Sequence, residues 1–413
     1  MNGHAIDIDH AGSWALEVVR AAEPWPFLRV GIAGGRGLLM PALARTTYLL
    51  HADRAPLRIA FDGAEVRSVA VRSAGIGDLI RSFERDRVRQ RITLDLADGA
   101  TLRPLLRGSG RGGRDLVKTM RLLTGWGFGL KSRNLQQTPG LFSAIEASSA
   151  AWAGEKSPGK ARFVVALHLY YPDLWPEFHA ALGRLRRPFH LIVTTSDASG
   201  DLRRQVLAAF PEAEVHVFVN RGRDIGPFVQ LLHDGRFDPF DFVCKIHGKR
   251  TAVSGHRAVL GQVWRRASIH DLIGSDQQVG HILAQFDAAP DVGMVASPRF
   301  RLPADFMPPA ASWSGNQAAT LALASRLGIA ADDFVLDYFA GTMFWVRPAV
   351  LRPLRDLGLT LADFPDEDDA RDGHLHHALE RVFGALPRLV GMTAANAAVE
   401  YIAAPSIDVS LGS

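Results

Sequence analysis

The sequence predicts an α/β chain: a doubly wound, mainly parallel sheet, with a separate β-rich, sandwich-like domain before it. Three observations carry this. From Pro26 to Leu106 short apolar runs are separated by turn signals, beyond Lys160 apolar strands alternate with helical periodicity, and between them lie Gly-, Ser- and Pro-rich stretches. Evenly spaced short runs without helical periodicity point to a sandwich, whereas repeated strand, helix, strand units imply a parallel sheet. The expected division is a β-rich domain over 1–110, a basic helical linker over 111–160 and an α/β domain over 161–405.

In the first region the runs are LRVGIA, TTYLL, LRIAF, VRSVAV and RITLDL, with turns at Gly34 to Gly37, Asp62-Gly63 and Asp98-Gly99. No convergent cluster of chemically useful residues occurs there. Residues 102–134 follow, where Arg103, Arg107, Arg111, Arg114, Lys118, Arg121, Lys131 and Arg133 stand against one acid, Asp115. With Leu116, Met120, Leu123, Trp126 and Phe128 interleaved, the patch reads either as a peripheral contact with the anionic inner membrane or as a solvated linker helix. GSGRGG and GEKSPGK read as connectors.

A chain of 413 residues with 47% hydrophobic and 22% charged residues is globular and long enough for two domains. The one cysteine, Cys244, excludes an intrachain disulfide and a cysteine-based metal site. A reducing, cytoplasmic setting is expected, because the N-terminus lacks a basic start before an apolar stretch and no 18 apolar residues run without charge. Net charge is only +4 and the basic patch is single and short, so no nucleic-acid partner is expected.

In the α/β region the strand candidates are Phe163 to Leu169, Phe189 to Thr194, Val215 to Val219, Phe242 to Ile246 and Val292 to Ala296. Leu174/Phe178/Leu182 and Leu202/Val206/Phe210 recur at i, i+4 on helices between them. Ligands of such sheets bind at the carboxyl ends of the strands, so chemistry is expected at His168 to Tyr171, Thr195 to Asp197, Asn220 to Asp224, His247 to Lys249 and Ser297 to Arg299. His168, Tyr170, Thr195 and Asp197 are ligand-site candidates on this ground.

The strongest signal is Asn220-Arg221-Gly222-Arg223-Asp224-Ile225-Gly226-Pro227-Phe228, leading into a helix whose first turn Pro227 marks. Gly222 and Gly226 would admit backbone amides to a ligand, Arg221 and Arg223 would fork onto phosphate oxygens, and Asp224 would meet a ribose or sugar hydroxyl. The alternative is a helix cap with surface ion pairs. In VCKIHGKR, strand alternation puts Lys245 and His247 on one face and Cys244 on the other. Lys245, His247 and Lys249 would hold and neutralise a diphosphate, or would be a basic strand end in water. Tyr338 to Trp345 is a glycine turn running into an apolar strand, in which Gly341, Thr342 and Trp345 are acceptor-site candidates, core packing being the alternative. Asp372, after the acidic run Asp366 to Asp369, precedes His374 and His377 at a helix start, where it would act as N-cap or as general base. His374 is a further acceptor candidate, and the two histidines lack a third ligand for a metal.

Together, HLYYPDLW (168–175), VTTSD (193–197), NRGRDIGPF (220–228), VCKIHGKR (243–250), AGTMFWVRP (340–348) and DGHLHHALERVFG (372–384) resemble the rhamnan synthesis protein F family of polysaccharide-building glycosyltransferases. The resemblance covers about residues 161–390. It implies a GT-A-like fold, a nucleotide-sugar donor (dTDP-L-rhamnose for the rhamnan builders), inversion at the anomeric carbon, and a lipid-linked or oligosaccharide acceptor of a surface polysaccharide, O-antigen or lipopolysaccharide in the cytoplasm. Asp372 falls in the family's DG motif. Many GT-A enzymes carry Asp-any-Asp for a metal where this chain has Lys245-Ile246-His247, so no cofactor is expected; Asp197 and Asp224 are the fallback ligands for Mg²⁺ or Mn²⁺. The competing class is a non-catalytic glycan-binding protein with a degenerate transferase domain.

Overall fold

A computed structural model describes residues 4–20, 27–32, 38–41, 45–62, 66–82, 94–96, 99–105, 162–250, 255–303, 309–366 and 372–397. The expected linker over 111–160, and the basic patch beyond residue 105, lie outside them. The described residues form two compact units. One holds those up to 105 with Arg250 and 255–263; the other holds 162–249 and the described residues from 264 to 397.

In the first unit the strands are β1 (His4–Ile8), β2 (Gly12–Arg20), β3 (Phe27–Ile32), β4 (Leu38–Pro41), β5 (Arg45–Ala52), β6 (Leu57–Asp62), β7 (Val66–Ser73), β8 (Leu94–Asp95) and β9 (Ala100–Leu105). They make two antiparallel sheets, ordered β1-β6-β3-β4 and β7-β2-β5-β9-β8. Period-two burial explains the alternating pattern: Thr46, Tyr48, Leu50 and Ala52 of β5 all turn inward. This is the β-rich, sandwich-like region the spacing predicts.

The second unit is built on β10 (Phe163–Leu169), β11 (His190–Thr195), β12 (Glu214–Val217), β13 (Phe242–His247) and β14 (Val292–Ala296), then β15 (Arg301–Leu302), β16 (Tyr338–Phe339), β17 (Phe344–Val346) and β18 (Thr393–Asn396). Seven of these form one sheet in the order β12-β11-β10-β13-β17-β14-β18. All neighbours are parallel except β17, which runs antiparallel to both β13 and β14. Numbered within this sheet, the order is 3-2-1-4-6-5-7 with the sixth strand reversed, the GT-A-like arrangement. Every residue of β10, β13 and β14 is buried, because helices cover both faces, and the sequence therefore shows continuous apolar runs there.

On one face, Val165, Leu167, Cys244, Ile246 and Trp345 pack with Phe178 of α1 (Trp175–Leu182) and Leu202 and Val206 of α2 (Asp201–Ala209). On the other, Val164, Ala166, Val243 and Phe344 pack with Phe228, Val229 and Leu232 of α3 (Ile225–His233). By alternation His168, Thr194, Lys245 and His247 belong to this second face, where they replace apolar residues at the carboxyl ends of the strands. Register puts them in adjacent rows: His168 pairs with both Thr194 and His247, and Ala166 with Lys245.

Candidate active site at the carboxyl edge of the sheet

The loop before α3 delivers Asp224 to the top of this face. Lys245 is 2% exposed, and its ammonium donates to the Asp224 carboxylate, to Thr342 O at 3.1 Å and to Thr342 Oγ1 at 2.9 Å. Thr342 Oγ1 in turn donates to Asp224 Oδ2 at 2.7 Å. Burial works against the Asp224 carboxylate, but His247, Lys245 and the hydrogen bonds from Lys245 and Thr342 hold its pKa well below the carboxylate range. His247 Nε2 lies 2.7 Å from Gly341 O. A carbonyl only accepts, so Nε2 carries the proton. Burial, with Lys245 and Lys249 against the opposing pull of Asp224, drives the pKa of His247 down to about 3.

These contacts correct several sequence expectations. Lys245 and Asp224 neutralise each other inside the fold, so neither stands ready for a phosphate or a sugar hydroxyl. His247 is neutral near pH 7 and cannot offset diphosphate charge. Arg221 donates from Nε to Asp366 Oδ1 at 2.8 Å, which ties its loop to the 366 segment. Gly222 and Gly226 answer to packing: a Cβ at Gly222 would lie 2.4 Å from Phe364 Cδ1, and one at Gly226 would lie 2.1 Å from Arg221 O. Gly222 also sits at φ +65°, where glycine is unpenalised.

Other candidates are structural too. Thr195 Oγ1 donates to Leu169 O at 2.7 Å, joining β11 to β10. Asp197 accepts the backbone N–H groups of Ser199 at 3.0 Å and of Leu202 in the first turn of α2 at 3.2 Å, and the Ser199 side chain, followed by these backbone bonds, holds its pKa low. Trp345 is fully buried in the middle of β17, 5.1 Å from the Phe163 ring, with Nε1 donating to Leu272 O at 3.0 Å. It is a core residue, not an acceptor platform. Ser297 and Arg299 both bond Asp271, buried on α4 (Gly255–Ile273), which removes that strand end from the site. Asn220 is half-buried at the bend before Arg221, and Tyr170 is exposed at the end of β10, edge-on to Tyr171 at 4.8 Å.

What the edge does gather is Arg223, Lys249, Gly341, His377 and Glu380. Arg223 adopts φ +55°, a left-handed conformation that costs a non-glycine residue free energy, and its Nη1 lies 3.4 Å from His377 Nε2. Lys249 places its ammonium 4.1 Å from the centroid of the Trp264 ring, which is stacked on Phe300. Burial lowers the Lys249 pKa and Arg223 lowers it further, against Glu380 and Asp224. The two cations therefore act on each other electrostatically at this edge. Glu380, on α5 (Leu375–Val382), accepts the Gly341 N–H at 2.6 Å. Sequence reading missed Glu380, though it lies three residues after His377 on the same helix face.

Asp372 is exposed and is not the N-cap of α5; that position is His374, whose side chain caps nothing. The Asp372 oxygens accept from Ser314 Oγ at 2.8 Å and from Asn316 Nδ2, while Asn316 Oδ1 accepts the Gly373 N–H at 2.7 Å. Asp372 therefore pins the 314–316 turn. Desolvation acts upward on its pKa, but the hydrogen bonds from Ser314 and Asn316, together with the charges of His377 and Arg381, bring it below the ordinary value. The His374 ring lies 6.0 Å from that of His377, and His376 and His377 are 4.1 Å apart.

Among the described residues no group of three or more His, Cys, Asp or Glu is arranged to hold a metal ion. At the end of β13 the Lys245 ammonium stands where an Asp-any-Asp pair would be needed, Asp224 is bonded to Lys245 and Thr342, and Asp197 to backbone amides. Also among the described residues, no helix is long and apolar enough to cross a membrane.

A GT-A-like sheet with a polar, cationic carboxyl edge defines the class. Comparison with known proteins identifies the family: the chain belongs to the rhamnan synthesis protein F family, whose model matches residues 144–391. It is 34% identical over 226 residues to an uncharacterized protein WxcX of Xanthomonas campestris pv. campestris strain B100, and 33% identical to that of strain ATCC 33913. Each match covers 53% of this chain, and the chain spans 30% of the length of these relatives. Among solved structures, glucosyl-3-phosphoglycerate synthase of Mycobacterium tuberculosis aligns at 14% identity and TM-score 0.29, covering 57% of this chain and 70% of that one. TarS 1–349 of S. aureus aligns at 11% identity and TM-score 0.29, covering 54% of each.

Proposed function

We propose that this chain is a glycosyltransferase that moves a sugar from a nucleoside diphosphate donor to a growing bacterial surface polysaccharide. The family supports L-rhamnose from dTDP-L-rhamnose, with inversion, an O-antigen or lipopolysaccharide-type acceptor on lipid or oligosaccharide, and reaction on the cytoplasmic side of the inner membrane. The observation that carries the reading is the juxtaposition of Arg223 and Lys249 at the ligand-binding edge. Like charges held together in a partly buried setting repel, and a bound diphosphate would turn that repulsion into attraction. The left-handed backbone at Arg223 fits this, since strain persists where the surroundings enforce it and clusters at ligand clamps.

In this reading Arg223 forks onto phosphate oxygens and Lys249 supplies a point charge to the departing diphosphate. The Lys245–Asp224–Thr342 network fixes the donor loop to β13 and to the Gly341-Thr342 turn. Arg223→Ala is expected to weaken binding of dTDP-L-rhamnose by about 10- to 100-fold, the worth of one charge-assisted hydrogen bond. Titration calorimetry on the folded variant measures this, and unchanged affinity would take the loop out of the donor site.

No step here runs through a divalent ion. Transfer is therefore expected to continue in EDTA with little change in rate. Complete loss in chelator with recovery on adding Mn²⁺ or Mg²⁺ would overturn the cation-based mechanism.

A further inference from the structure

Three carboxylates border the strand-end cluster, and their surroundings separate them. Asp224 takes both the Lys245 ammonium and the Thr342 hydroxyl on Oδ2, and these contacts hold it ionised through the working pH range. Asp372 divides its oxygens between Ser314 and Asn316 on the turn that it pins. Glu380 differs from both.

Its Oε1 accepts the Gly341 N–H, which fixes the side chain against the Gly341-Thr342 turn. Its Oε2 accepts no hydrogen bond from the described residues and lies 3.7 Å from Arg381 Nη1. That nitrogen already donates to His377 O at 2.9 Å, and the other guanidinium nitrogens of Arg381 donate to Ser312 O. The Glu380 side chain is 23% exposed, so it is held in place by one oxygen while remaining in reach of solvent.

We infer that Glu380, through Oε2, is the general base that takes the proton of the acceptor hydroxyl. The inference rests on the transfer reading above. In the step, the acceptor O–H bond breaks and its proton passes to Glu380, while the acceptor oxygen bonds to the anomeric carbon. The bond from that carbon to the diphosphate oxygen breaks, and its electron pair leaves with the nucleoside diphosphate beside Arg223 and Lys249. A positioned base acting on a hydroxyl contributes about 10²- to 10⁴-fold in rate.

Glu380→Gln keeps an oxygen for the Gly341 N–H but cannot take the proton. Assayed by nucleoside diphosphate release from a panel of nucleotide sugars with a rhamnose disaccharide as acceptor, it should lose about 10²- to 10⁴-fold in kcat. Donor affinity and melting temperature should stay close to wild type, and the acid-side limb of the kcat/KM pH profile should vanish. Near-normal kcat, a persisting acid limb, or a parallel loss of donor affinity would each overturn the assignment, the last by making Glu380 a positioning residue for the turn. If Glu380→Gln fails to fold, Glu380→Asp keeps a carboxylate set back by one methylene. Reduced turnover with the acid limb retained then supports the base, and turnover without that limb refutes it. Wild-type turnover alongside an active Glu380→Gln removes this inference alone, whereas no turnover by the wild-type chain with any donor removes the transfer reading and the inference together.

Discussion

Lys245→Met is expected to destabilise the α/β unit by about 3–5 kcal/mol, the cost of leaving one partner of a buried ion pair uncompensated. Asp224 would remain in the interior with the Thr342 hydroxyl, and with His247 3.8 Å from its Oδ2, in place of the buried ammonium. A domain stable by about 5–15 kcal/mol loses much of its margin in such a change. Replacing both partners, Lys245→Met with Asp224→Leu, should restore much of the loss, because a buried pair exchanged for apolar groups of similar volume is often neutral. The single variant also has a pH signature. Without its cation, Asp224 has a raised pKa in the folded state, so the folded form takes up a proton more readily than the unfolded one, and the deficit shrinks as pH falls. Urea unfolding of the two variants at several pH values measures both effects. A single variant as stable as wild type would mean that Asp224 reaches water in the fold.

The strands on either side of β10 were legible because a strand buried on both faces leaves an uninterrupted apolar run, and the helices because Leu202 and Val206 recur one turn apart. The order of the sheet was not legible, since it depends on pairings between distant segments. The reversed β17 is only three residues long and sits between β13 and β14. That central place decides Trp345. A glycine turn followed by aromatic residues looks the same in sequence whether the rings meet a sugar or a core.

Alternation gave the shared face of Lys245 and His247 but not their partners. The Asp224 carboxylate comes from 21 residues earlier and Gly341 from 94 residues later. Two arginines in one loop likewise looked equivalent. Arg221 turns out to be anchored to Asp366, 145 residues away, while Arg223 is turned toward His377 by its left-handed backbone. Glu380 stayed hidden because a charged residue on a helix is most often a solvated one, and only the Gly341 amide reveals its direction.

Acidification from about pH 6.5 to pH 4 is expected to erode stability steadily, through three buried histidines rather than through the carboxylates. His168 bonds Thr194 Oγ1 from Nδ1 at 3.0 Å, and burial, with Lys245 overriding Asp224 only in part, contributes to a pKa pushed down to about 4. His247 is held at about 3 and His377 at about 4, the latter by burial, His376 and Arg223. In the unfolded chain each returns to about 6.5. Between those values the unfolded state binds protons that the folded state refuses, so stability is complete above the unfolded pKa and declines as pH falls toward the folded one. Each histidine that stays neutral in the fold contributes up to about 1.4 kcal/mol of loss per pH unit across this window. Asp224 contributes nothing to that slope. Its folded pKa is depressed, so its stabilisation is intact above the ordinary carboxylate range and is lost only below it. Unfolding free energy measured in urea from pH 7 to pH 4.5 should therefore fall with a slope approaching the uptake of several protons, and His247→Asn should flatten it. A stability flat down to pH 4.5 would show that these imidazoles reach solvent in the folded chain and that the interior polar network is open to water.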